Sequence, residues 1–160
     1  MRRALLDPIS DKKRLALAEA QASELYRLHE AGKNYASQLR DFAELVGKPV
    51  TKHDVDAAFG SIDPESFAQG VLANYDGVPT DLTDEEMVEL FENLCTAKGT
   101  ELQQSYWLRC LELNTGDDQV SDLIFWPDIY FGDGNLAREM PAKEMLQTAL
   151  ATGKKKKSEK

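Results

Sequence analysis

The chain has 160 residues, 42% of them hydrophobic and 29% charged, with a formal net charge of −9. It is long enough to bury a core as one domain or two small ones, and it holds no apolar run long enough to cross a bilayer. The charge is lopsided: residues 81–153 carry 15 acidic and 4 basic side chains, residues 1–80 carry 12 and 10, and residues 154–160 hold five lysines and one glutamate. A field that negative repels nucleic acid and steers basic partners inward.

The N-terminus lacks the charged, apolar and small-residue order of a signal peptide, so the expected location is the cytoplasm. Cys95 and Cys110 are then expected to be unpaired thiols, both on apolar helical faces as small buried hydrophobes. The Lys-rich residues 154–160 read as a disordered, solubilising tail.

In chain order, residues 11–31 predict a helix with Leu15, Ala18, Ala22, Leu25 and Leu28 on one stripe and Gly32 as its stop. A second helix runs from about Tyr35 through Leu39, Phe42 and Val46 and ends at Gly47 and Pro49. Thr51 caps a short third helix with Val55, Ala58 and Phe59, closed by Gly60. Asp63 caps a fourth, with Pro64 at its first position and Phe67, Val71 and Leu72 inward. Asp76-Gly77-Val78-Pro79 is a turn and the expected boundary, which makes residues 1–78 a small helical unit of unassigned role. His29 and His53 stand alone there and read as satisfied or solvated histidines rather than metal ligands.

The second half opens on a capping box, Thr83 with Glu86, ahead of Met87, Leu90, Phe91, Leu94 and Cys95 at helical spacing. Lys98-Gly99 breaks that helix. The next, over about 100–114, has two faces. Tyr106, Trp107, Cys110 and Leu111 form the core side; Glu101, Gln104, Ser105, Leu108 and Glu112 align on the other. A loop over 115–120, a short turn over 122–126 and a loop with Tyr130, Phe131 and Gly132-Asp133-Gly134 follow. The last helix starts near Pro141, runs through Met145, Leu146, Ala149 and Leu150, and stops at Gly153. No run alternates with period two, so the expected class is all-α.

The stretch Ser121-Asp122-Leu123-Ile124-Phe125-Trp126-Pro127 stands apart. Asp122 is a good N-cap, and Pro127 disfavours the α region at Trp126, so about one helical turn fits between them. At about 100° per residue, Asp122, Phe125 and Trp126 share one side and Ile124 faces the other as the core anchor. Two rings beside a carboxylate have the composition of a binding hot spot. The same pattern also suits two core aromatics on a short buried segment.

Residues 81–153 resemble the immunity proteins of the nuclease colicins and pyocins, which are short, acidic four-helix proteins. Their one-turn third helix has the form Ser-Asp-Leu-Ile-Tyr-Tyr-Pro, matched here by Ser121 to Pro127 with Phe125 and Trp126 in place of the tyrosines. Leu82-Thr83-Asp84-Glu85-Glu86 and Leu94-Cys95-Thr96-Ala97 resemble the family's first helix and its Ile-Cys-Asn-Ala ending. The resemblance implies a four-helix immunity-like domain over 79–153 that binds and silences the basic nuclease domain of a cognate bacteriocin. It implies no cofactor or metal and no direct contact with nucleic acid or membrane. Carried over by position, Asp122, Phe125 and Trp126 are the shared anchors, and Gln104, Ser105, Leu108, Arg109 and Glu112 on the preceding helix select the partner. Phe125 lacks the hydroxyl of its counterpart, Trp126 is bulkier, and Gln104 and Ser105 replace residues that are often apolar.

Two other readings carry different expectations. A helical adaptor docking a non-nuclease through the same turn would associate slowly and with little response to salt. An enzyme would need metal chemistry from Asp117, Asp118, Asp122, Asp128 and Asp133, but that half has no histidine and no nucleophile with a base partner. The expected protein is therefore an inhibitor and not an enzyme.

Overall fold

The computed structural model describes residues 2–9, 11–73 and 78–159. All regular structure among them is helical, and the chain divides into two compact units, Ile9–Asn74 and Met1–Pro8 with Tyr75–Lys160. Half of the expected boundary turn, Asp76-Gly77, lies outside the described residues.

The chain begins with α1 (Arg3–Leu6), a single turn that belongs to the C-terminal unit. The other unit holds α2 (Lys12–Glu30), α3 (Ala36–Val46), α4 (Lys52–Ala58) and α5 (Pro64–Leu72). Their ends follow the sequence signals. Asp11, Thr51 and Asp63 accept hydrogen bonds from the third residue of α2, α4 and α5, and Gly47 closes α3 in the left-handed region at φ 69°. Each cap satisfies backbone groups that have no partner inside the helix. The buried faces of Ala18, Ala22, Leu25, Phe42, Val55, Phe67 and Ala68 meet in one cluster.

The C-terminal unit packs α6 (Asp84–Cys95), α7 (Glu101–Thr115), α8 (Val120–Phe125), α9 (Pro127–Phe131) and α10 (Ala142–Ser158) around Leu90, Phe91, Leu94, Trp107, Cys110, Leu111, Val120, Leu123 and Leu146. Thr83 and Thr100 each close a capping box, on α6 and α7. Cys110 is fully buried, and that burial pushes its thiol up to about 12.

Residues 2–8, expected with the N-terminal unit, instead seal this core. Leu5 is fully buried, its carbonyl accepts from the Trp107 indole at 2.7 Å, and the Leu6 carbonyl accepts from Gln103 at 2.6 Å. Arg2 bridges Asp81 at 2.7 Å and Glu86 at 2.7 Å. A buried indole N–H needs an acceptor, and here the first turn of the chain supplies it.

The end of the chain also departs from expectation. Gly153 does not stop α10, which continues through the lysines to Ser158. Gly153 is buried at a helix crossing, where a β-carbon would stand 1.9 Å from the Thr115 carbonyl oxygen, so only glycine lets α10 pass the end of α7. Beyond it, Lys156 pairs with Asp118 and lies 3.7 Å from Asp117. Cations in the last turn also suit the helix dipole. The expected disordered tail is therefore helical as far as Ser158. Cys95, expected to be buried, is exposed at the last residue of α6.

Candidate functional site

The stretch singled out in the sequence forms α8, but its start lies earlier than expected. Gln119 is the N-cap residue and Asp122 sits inside the helix, because Val120 already turns into the core. Val120 and Leu123, three positions apart, are both fully buried and mount the helix on the cluster. Leu123 thus takes the anchoring role expected of Ile124, which is only partly buried against the same core. The other end behaves as the proline requires. Trp126 leaves the helical region at φ −138°, ψ 59°, after donating its N–H to the Asp122 carbonyl at 2.7 Å.

The consequence is a pair of rings turned outward. Phe125 is 47% exposed and Trp126 is 59% exposed. Asp122 is partly exposed beside them, and its carboxylate has no ion-pair or hydrogen-bond partner among the described residues. Desolvating two such rings against a partner releases apolar surface from water, and an unengaged carboxylate is free to take a cation.

The outer face of α7, which packs against α8, carries the other expected residues. Ser105 is exposed, and Gln104, Leu108, Arg109 and Glu112 are partly buried. Arg109 and Glu112 form a one-turn ion pair at 3.2 Å, Gln104 donates to the Lys98 carbonyl at 3.0 Å, and Leu108 leans on the core. Some of these side chains are thus already engaged within the protein.

The sequence suggests a loop holding Tyr130, Phe131 and Gly132-Asp133-Gly134. Instead Pro127 opens α9 immediately and Gly132 closes it at φ 67°. That pairing of proline at the first position with glycine past the last was the available signal. α9 adds a third exposed apolar side chain, Ile129, at 62%. Phe131 is 38% exposed, but the Arg138 guanidinium lies over its ring at 4.1 Å and Tyr130 meets its edge at 5.0 Å.

The carboxylates considered for metal chemistry are largely tied down. Asp117 is fully buried, accepts from Tyr130 Oη at 2.7 Å and receives the Gln119 N–H at 3.0 Å. Tyr130 Oη also meets Thr152 Oγ1 at 2.7 Å, and burial pushes the phenol up to about 12. Asp118 pairs with Lys156 and Asp133 with Arg138. No group of three or more His, Cys, Asp or Glu residues is placed to hold a metal ion among the described residues. No helix there is long and apolar enough to cross a membrane.

Comparison with known protein families gives a match to part of the chain. Residues 80–131 match the family described as colicin immunity protein / pyocin immunity protein, a segment running from the approach to α6 through the end of α9. No curated protein and no solved structure matches the chain.

Proposed function

We propose that this protein is an immunity protein, not an enzyme: it binds the basic nuclease domain of a bacteriocin-type toxin through the α8 corner and silences it. The observation that carries the reading is the outward pair Phe125 and Trp126 beside Asp122, within the segment that matches the immunity family. Buried in an interface, two aromatics and a paired carboxylate are hot-spot material. The outer face of α7, with Gln104, Ser105, Leu108, Arg109 and Glu112, then discriminates between nucleases, as less buried positions around an anchor do. The surplus of acids in residues 81–153 speeds encounter with a cationic domain and disfavours nucleic acid near the complex. Such a partner is met in the cytoplasm.

The test is calorimetric titration with isolated nuclease domains of a DNase-type and an rRNase-type bacteriocin, together with a substrate-cleavage assay. Wild type is expected to bind one of them and stop cleavage, with an association rate that falls steeply as salt rises. Asp122→Ala and Trp126→Ala should each cost roughly 2–4 kcal/mol of binding. Their melting temperatures should stay within about 2 °C of wild type, since both side chains are solvent-facing. Unfolding by either substitution, or tight salt-insensitive binding to a non-nuclease instead, defeats the proposal.

A further inference from the structure

α9 extends the apolar surface beyond Trp126. Trp126 caps α9, and its carbonyl accepts the backbone N–H of Ile129 at 2.9 Å. That backbone bond holds Ile129 within one turn of Trp126, so the two positions are close in space. Phe125, Trp126 and Ile129 are thus three large apolar side chains exposed within five residues, at 47%, 59% and 62%. Carboxylates stand around them, Asp122 in α8 and Asp128 in α9, each partly exposed.

The corner is also held firmly from behind. Tyr130, next in sequence to Ile129, reaches inward to the buried Asp117 at 2.7 Å and to Thr152 of α10 at 2.7 Å. That double anchorage fixes which side of α9 faces water. An exposed isoleucine on a rigid turn loses little conformational freedom when it is covered, which favours its use as a contact.

We infer that Ile129 is a specificity-determining contact of the docking surface. Its occupant is a cationic protein surface with an apolar notch at its centre, which receives Trp126 and Ile129 together while basic side chains meet Asp122 and Asp128. The commitment to a cationic occupant rests on charge complementarity, since residues 81–153 hold 15 acids against 4 bases. The inference rests on the immunity reading, and it adds a position that α8 and α7 do not contain.

The experiment titrates the full-length protein with the same two nuclease domains and compares wild type, Trp126→Ala, Ile129→Ala, Ile129→Lys and Leu136→Ala. Leu136 is the control, an apolar side chain 85% exposed in the loop after α9. Ile129→Ala should weaken binding about tenfold. Ile129→Lys should weaken it further by placing a cation against a cation, and Leu136→Ala should leave it within about twofold, as a solitary exposed leucine does. Thermal melts check that each variant is folded. If Trp126→Ala weakens binding while both Ile129 variants stay within about twofold of wild type, this inference fails and the immunity reading stands. An equal loss from Leu136→Ala also overturns it, since the effect is then not particular to the corner. If wild type binds neither domain, the immunity reading and this inference fall together.

Discussion

The two units use their aromatic side chains in opposite ways. In residues 9–74 the rings meet one another: Phe42 stacks on Phe67 at 5.8 Å, Tyr26 meets Phe59 at 5.5 Å, and His29 lies 4.7 Å from Phe59. Tyr26 also donates its hydroxyl to the Ile62 carbonyl at 2.9 Å, so even its polar end is engaged within the unit. In the C-terminal unit Trp107 is treated the same way, but Phe125 and Trp126 are left facing water. Aromatic content therefore does not mark a surface. What marks it is a ring placed where a proline has ended the helix, with the core already filled by Val120 and Leu123 from the same turn.

That contrast can be broken most forcefully at Phe42, which is fully buried. Phe42→Ala should cost about 3–5 kcal/mol of stability in the unit of residues 9–74. Binding through α8 should survive, as measured by denaturation and titration of the same variant. Equal loss of binding would mean that the N-terminal rings serve the surface after all. Next in size is Gly153→Ala. Alanine normally improves a helix interior by about 1 kcal/mol over glycine. Here the added carbon meets the Thr115 carbonyl at 1.9 Å, so the substitution should destabilise by about 1–3 kcal/mol or more in a thermal melt.

Tyr130→Phe sharpens the comparison within the C-terminal unit. It leaves the buried Asp117 carboxylate without its phenol donor and should cost about 1–3 kcal/mol, read by chemical denaturation. The smallest effect concerns pH. Hydrogen bonds from Arg2 hold Glu86 and Asp81 below their ordinary values of 4.5 and 3.8. A carboxylate depressed in the folded state contributes stability above its unfolded value and loses it as pH falls through the folded one. Melting temperature should therefore decline on acidification below about pH 4.5. Arg2→Gln should flatten that decline slightly, because Asp81 is exposed and Arg2 itself is open enough to be screened, while Glu86 is only partly buried.

Much of the fold was legible because helix ends are written locally. Thr51, Asp63, Thr83 and Gly47 each act where the sequence placed them, and Tyr106, Trp107, Cys110 and Leu111 are all buried as expected. The errors have one physical origin, which is that a short element offers too little periodicity to fix its phase. With one turn to judge, Asp122 looked like the cap and Ile124 like the anchor, and only the depth of the core beneath α8 selects Gln119 and Leu123. Gly153 shows a different limit: a glycine that stops a helix and a glycine that lets two helices cross look alike until the crossing partner is known. The outward rings were one of two open readings, and the exposure of Phe125 and Trp126 decides between them. The role of Leu5 was not legible, since its partner Trp107 lies 102 positions away.

That last separation has a bearing on how the molecule is made. Residues 2–8 are synthesised ahead of α7, yet their seat does not exist until α7 has followed. Residues 9–74 carry their own core and are complete long before that moment, so the opening segment must wait, tethered, while about a hundred residues follow it. Closing so long a loop costs only about 0.6 kcal/mol more than closing one half its length. A fragment begun at residue 79 would lack Leu5 altogether and leave the indole of Trp107 with no acceptor from α1. A turn made about a hundred residues ahead of its seat is thereby among the last to dock.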